Sequence, residues 1–328
     1  MSIPVVICDD SSFARHQIAE ALPRGWDVDL TFAGGGEEAL EAVRAGRGDI
    51  LFLDLTMPGM DGFDVLEAIR REDLPTLTIV VSGDIQPESQ RRVRELGAVA
   101  FVEKPVDGQR LGGLLAEYGV LGVLTGEGAP VQAGVAFTDW CQETANVAMG
   151  RAADLLAKVI AGSVQLSVPR VELLQPGQME AAVASAVSAQ WAAVVSQGFI
   201  GSRIAGETLL VFAETDVAAL AEAMHFTEAL TPTAETELLT DIANILVGAF
   251  LKGFSEQLGV PFSQGHPRIE LPGGYGSGIT ANARGRGLAI DLSYTIGDHH
   301  IHCDQLVLFP ERSIHALEQR AGYLVQQP

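Results

Sequence analysis

The sequence predicts an α/β domain on a five-stranded parallel sheet, followed by a second domain that mixes long helices with strands. Five short apolar runs, at residues 4–8, 28–32, 50–53, 77–82 and 98–102, are each followed by a turn and a helix-like pattern. Alternating βα units imply parallel strands joined by right-handed crossovers, with helices on both faces. Beyond them, two long helical patterns near 138–161 and 234–258 each lead into a strand-like run containing proline. A length of 328 residues, about twice a typical domain of roughly 150, agrees with two domains.

Each element has its own local signal. Ser11 or Ser12 can cap a first helix running through Glu20, Gly34-Gly35-Gly36 opens a glutamate-rich first turn, and Leu96-Gly97 has the form of a helix C-terminus. A last helix of the first domain is expected over 107–118, which sets that domain at 1–122. Residues 123–134, rich in Gly, Ala and Val, read as a linker, and 135–328 as the second domain. Residues 181–202 carry no charge and are long enough to span a bilayer. Ser185, Ser188, Gln190, Ser196 and Gln197 make them too polar for lipid, so a helix end followed by a buried strand is expected.

Composition narrows the function. With 47% hydrophobic residues the chain can build a sizeable core, which excludes a disordered protein. A net charge of −21, spread as 21 acids against 11 bases over 1–122 and 21 against 10 over 123–328, would repel phosphate backbones and anionic lipid. Neither a nucleic acid nor a membrane is an expected partner. Cys8, Cys141 and Cys303 are odd in number and have no metal-ligand spacing, and the chain reaches Asp9 and Asp10 before any apolar run long enough for a signal peptide, so a cytoplasmic location is expected.

In a parallel α/β sheet, ligands sit beyond the carboxyl ends of the strands. Asp9 and Asp10 end the first run, Asp54 the third and Ser82 the fourth, while Lys104 follows the fifth in Phe101-Val102-Glu103-Lys104-Pro105. A single Asp there could merely cap a helix; all five positions in strand order are hard to explain that way. Carboxylates gathered together raise one another's pKa unless a cation joins them, and Mg²⁺ is the natural oxygen-seeking partner.

These residues resemble a two-component response-regulator receiver domain of the CheY type, with its flavodoxin-like fold, over about 1–120. The resemblance makes Asp54, in Phe52-Leu53-Asp54-Leu55-Thr56-Met57-Pro58-Gly59-Met60-Asp61-Gly62, the phosphoacceptor. It assigns Mg²⁺ to Asp10, Asp54 and the Thr56 carbonyl, with Asp9 acting through water, and phosphoryl oxygens to Ser82 and Lys104. Phe101 takes the aromatic switch position, and a histidine kinase is the expected phosphodonor.

The second half lacks the familiar nucleotide-loop, zinc-protease and serine-hydrolase signatures. It does repeat a polar pattern: Asp139, Glu143, Asn146 and Pro169 recur as Glu237, Asp241, Asn244 and Pro267, each 98 positions later, which an internal duplication explains. Positions i, i+4 and i+7 share one helix face, so each helix can present a carboxylate with an amide. This half resembles the CheC/CheX/FliY family of receiver phosphatases, an α+β fold with pseudo-twofold halves. The resemblance implies hydrolysis of aspartyl phosphate on CheY-like receivers, with Asn146 and Asn244 positioning water and Glu143 engaging the receiver's lysine. Glu237 and Asp241 depart from the family pattern, so Asn146 is expected to matter more than Asn244.

The whole reads as a chemotaxis-type signalling protein in which a Mg²⁺-dependent receiver controls a phosphatase. The alternative is a non-catalytic binding module controlled by phosphorylation, whose sign would be a buried or blocked Glu143 and Asn146. The run Asp298-His299-His300-Ile301-His302-Cys303-Asp304 resembles a metal cluster, but a hairpin between 288–296 and 301–309 with a turn at Gly297-Asp298 accounts for it. Arg91, Arg92 and Arg94 read as a solvated helix face, and Trp140 as packing.

Overall fold

The computed structural model describes residues 2–118, 136–187, 191–213, 216–224, 226, 231–270, 285–297 and 301–325. Residues 123–134 and Asp298–His300 lie outside them. The chain forms two compact units, Met1–Glu143 and Thr144–Pro328.

The first unit alternates β1 (Ile3–Cys8), α1 (Ser12–Ala21), β2 (Val28–Ala33), α2 (Gly36–Arg44), β3 (Ile50–Leu53), α3 (Gly62–Glu72), β4 (Leu77–Ser82), α4 (Pro87–Glu95), β5 (Ala100–Glu103) and α5 (Gly108–Glu117). Its five strands run parallel in the order β2-β1-β3-β4-β5. Both faces are covered, so the strands are apolar on both sides. Val6, Cys8, Leu51, Leu53 and Val80 pack against Leu40, Val43, Val65 and Val93. The alternate residues Val5, Ile7, Phe52, Ile79 and Val81 pack against Ile18, Leu111 and Leu115.

Local chemistry sets the helix starts. The Ser11 hydroxyl accepts from the Ala14 amide at 3.2 Å and caps α1, while Asp61 and Asp64 form a reciprocal capping box on α3. Gly62 is required by close approach: a Cβ there would lie 2.2 Å from the Asp54 carbonyl oxygen. Its amide instead donates to the Leu55 carbonyl at 3.0 Å, folding the β3–α3 loop back beneath Asp54.

Helix α6 (Phe137–Ile160) begins in the first unit and continues into the second. The second unit then runs β6 (Val164–Leu166), β7 (Arg170–Leu174), α7 (Gln178–Ala186), β8 (Trp191–Gly201), β9 (Ile204–Ala213), α8 (Val217–Ala223), α9 (Pro232–Leu258), β10 (Ser263–Gln264), β11 (Arg268–Glu270), β12 (Gly287–Ile296), β13 (Ile301–Pro310) and α10 (Glu311–Val325). It is α+β. Its antiparallel sheet has the order β10-β8-β9-β13-β12-β6, with β11 also on β8 and β7 also on β12. Two long hairpins, β8–β9 and β12–β13, meet at the β9–β13 seam. Pro169 and Pro267 stand just before β7 and β11, where a missing amide donor interrupts no ladder.

One sheet face packs Val194, Leu209, Leu306 and Leu308 against Met179 and Val183 of α7. At the centre of the sheet, buried Gln305 donates to the Thr208 hydroxyl and accepts from the Tyr294 hydroxyl, both at 3.1 Å. Helix α9 is long and apolar enough by composition to cross a membrane, yet more than half of its most apolar window is buried. Phe254 of α9 stacks against Phe250 and meets Phe309 of β13 at 5.9 Å between ring centroids. Helices α6 and α9 touch closely, since a Cβ on Gly253 would lie 2.9 Å from Ala148 Cα.

Candidate functional site

The parallel ladder runs past the strand ends and carries the chemistry with it. Asp9 donates its amide to the Ala33 carbonyl at 3.1 Å, Asp54 to Cys8 at 2.9 Å and Lys104 to Ser82 at 3.0 Å. These bonds bring three loops to one edge of the sheet. Carboxylate oxygens of Asp9, Asp10 and Asp54 all lie within 4.8 Å of one another.

Lys104 reaches into this cluster. Its Nζ is 2.7 Å from Asp9 Oδ2, 3.2 Å from Asp54 Oδ1 and 3.1 Å from Glu143 Oε1. Asp9 and Asp54 are fully buried, and Lys104 is only 3% exposed. Backbone amides complete the acids: Ser11 donates to Asp9 Oδ1 and Thr56 to Asp54 Oδ2, each at 2.9 Å. The Arg15 guanidinium donates to the carbonyls of Asp9 and Asp10.

Four carboxylates thus face one lysine, and the electrostatics follow from that imbalance. Burial pushes Asp54 well above the usual carboxylate range; Lys104 opposes the rise, and Asp9, Glu143 and Asp10 add to it. Burial and then the Asp9 charge raise Asp10 to about 6. Burial, only partly offset by Lys104, raises Glu143 to about 7. Burial disfavours charge on Lys104 too, but Asp54, Asp9 and Glu143 more than compensate and hold its pKa well above normal. A hard divalent cation fits this excess of buried negative oxygen.

The other expected residues take separate places. Ser82 is buried at the end of β4, beside β3, and its hydroxyl accepts from the Asp84 amide at 3.2 Å. Phe101 is half-buried against the cluster containing Val80 and Val93. On α6, Glu143 and Asn146 are both buried, at 4% and 5% exposure. On α9, Glu237, Asp241 and Asn244 are exposed together. Arg15 and Gln142 were not anticipated from sequence. Gln142 Nε2 donates to Asp10 Oδ2 at 2.9 Å, a contact between residues 132 positions apart that no local pattern announces.

Residues 5–116 match the family described as the response regulator receiver domain. The first unit therefore carries a two-component receiver. Among curated relatives, a protein-glutamate methylesterase/protein-glutamine glutaminase of Geobacter sulfurreducens is 40% identical over 107 residues, covering 32% of this chain and 29% of that protein. A second of that description, from Caulobacter vibrioides, is 37% identical over 119 residues, 35% of this chain and 34% of that protein. The chain thus spans about a third of the length of these relatives. Among solved structures, Thermotoga maritima FliY aligns with 58% of this chain and 98% of its own at 19% identity and a TM-score of 0.45.

Proposed function

We propose that Asp54 accepts a phosphoryl group from a histidine kinase, and that residues 135–328, joined by a 123–134 linker, hydrolyse aspartyl phosphate on CheY-like receivers. The observation that carries the reading is the pairing of Glu143 with Lys104 at 3.1 Å. The family resemblance gives Glu143 a receiver's lysine as its partner, and the receiver resemblance gives Lys104 that lysine's position.

In the first step an Asp54 oxygen attacks phosphorus and the donor imidazole leaves. Lys104 and Ser82 then hold phosphoryl oxygens by charge and hydroxyl donation. Mg²⁺, when bound by Asp10, Asp54 and the Thr56 carbonyl with Asp9 acting through water, supplies charge neutralisation at the phosphoryl group. With Lys104 drawn toward that group, Phe101 turns into the space released. Hydrolysis needs a water in line behind phosphorus with the receiver's aspartate as leaving group. A carboxamide can orient that water through one acceptor and two donors, the role of Asn146 and Asn244. Glu143 holds the helix in register on the partner lysine, and Asp241, one methylene shorter, stands at the matching position of the second helix.

A duplicated second half is supported by its order of elements. Long helix, two short strands and a long hairpin occur as α6-β6-β7-β8-β9 and, over the described residues, as α9-β10-β11-β12-β13, with α7 inserted before the first hairpin.

The test adds full-length protein to a separate phosphorylated receiver and measures the lifetime of its aspartyl phosphate. Shortening supports the reading, and an unchanged lifetime removes it. The burial of Glu143 and Asn146 favours a second reading, a receiver-binding module without turnover. Saturable binding with no release of inorganic phosphate would select it.

A further inference from the structure

Three residues on consecutive turns of α6 touch the phosphorylation pocket, and all belong to the first unit. Asp139 accepts from the Ser12 hydroxyl at the start of α1. Gln142 donates to Asp10 Oδ2 at 2.9 Å. Glu143 brings both carboxylate oxygens to Lys104 Nζ, at 3.1 and 3.3 Å. Only Glu143 has a place in the proposed hydrolysis; the other two contacts need a separate account.

The atoms engaged are those the phosphoryl-transfer step uses. Lys104 would meet a phosphoryl oxygen, and here it meets a carboxylate, an anion of similar geometry. Asp10 would offer oxygen to a cation, and here it accepts from an amide. Asp54 is fully buried, whereas attack on a phosphodonor requires its oxygen to be reachable. Occupation by α6 and occupation by a phosphoryl group are therefore mutually exclusive, and each must weaken the other equally.

We propose that the Asp139, Gln142 and Glu143 face of α6 is a built-in cover for this chain's own phosphorylation pocket, which must lift before Asp54 can be phosphorylated. The proposal rests on Asp54 as the phosphoacceptor but not on phosphatase activity. Gln142 and Asp139 are its recognition residues: they match Asp10 and Ser12 and so fit the cover to this receiver. Phosphorylation, once made, keeps the cover displaced and frees the first turns of α6.

The experiment uses the full chain with acetyl phosphate and Mg²⁺. An Asp54 oxygen attacks phosphorus, the bond to the acetate oxygen breaks, and acetate leaves. The initial rate of phosphoryl incorporation is compared for wild type, Gln142→Ala, Gln142→Ala with Glu143→Gln, and Asp54→Asn. Loss of the two α6 contacts raises the initial rate roughly tenfold, as release of about 1.4 kcal/mol of competing contact would. An initial rate unchanged in both cover variants overturns the proposal. Incorporation retained in Asp54→Asn would instead overturn the phosphoacceptor assignment on which it stands.

A second readout needs neither metal nor turnover. The chain has three lysines, Lys104, Lys158 and Lys252, so acetic anhydride labelling followed by mass spectrometry reports Lys104 against two internal references. Gln142→Ala raises Lys104 labelling severalfold relative to Lys158 and Lys252. Equal labelling in variant and wild type overturns the cover.

Discussion

Asp54 sits where three constraints meet: no exposure, a lysine at 3.2 Å and a glycine beneath its carbonyl. The last has a mechanical consequence. In Gly62→Ala the added methyl group must displace the β3–α3 loop, because backbone atoms rather than a flexible side chain stand 2.2 Å away. The expected destabilisation is about 1–3 kcal/mol, typical of overpacking, and calorimetry should show it as a lowered Tm. For the proposed hydrolysis, Asn146→Ala should lengthen aspartyl-phosphate lifetime more than Asn244→Ala, because only the first helix keeps the full family pattern. Equal effects in a phosphate-release assay would remove that ranking.

At the scale of elements, α9 buries one side in the core and exposes the repeated polar residues on the other. Its buried stripe includes Leu238, Ile242, Leu246 and Phe250, while Glu237, Asp241 and Asn244 face solvent. Thr231 caps it by accepting from the Ala234 amide at 3.2 Å, so Thr231→Ala should cost about 1 kcal/mol, read from denaturant unfolding. Asp241→Glu lengthens the side chain by one methylene and restores the family residue. It should raise phosphate release from a separate phosphorylated receiver severalfold, whereas a rate unchanged from wild type would show that the length of the Asp241 side chain does not limit hydrolysis. The strands were legible because each βα unit repeats a short apolar run before a cap or glycine; β3 and β4 occupy the expected 50–53 and 77–82. The start of β5 moved from 98 to Ala100, since Ala98 belongs to the turn after α4, where its amide donates to the Val93 carbonyl at 3.0 Å.

Across the whole molecule, the candidate site was legible at the strand ends but not where distant segments meet it. Asp9, Asp10, Asp54 and Lys104 could be placed together because a parallel sheet must bring its carboxyl ends to one edge. The approach of Gln142 to Asp10 and of Asp139 to Ser12 depends on tertiary placement, which neither hydrophobic period nor motif spacing encodes. The burial of Asn146 against the exposure of Asn244 was equally invisible, for both occupy the same position in matching patterns. The surplus of acids around Lys104 makes a further global prediction: Mg²⁺ should raise the Tm of the full chain. A ligand at a hundredfold excess over its Kd adds about 2.7 kcal/mol, and a chelator should reverse the shift. Asp10→Asn should abolish most of it; an undiminished shift would move the cation elsewhere.

The outer strands of the second unit have crossed allegiances: β6 and β7 lie on β12, while β10 and β11 lie on β8. Each hairpin is thus edged by ribbons that precede the other hairpin in the chain. Severing the backbone between α8 and α9 would leave two fragments, each lacking the borders its own hairpin requires and each holding those of its counterpart. Such fragments, co-expressed, should reassemble into one sheet, whereas either alone would present bare edges and aggregate. The fold is in this sense two interlocked halves, each supplying the border strands of the other.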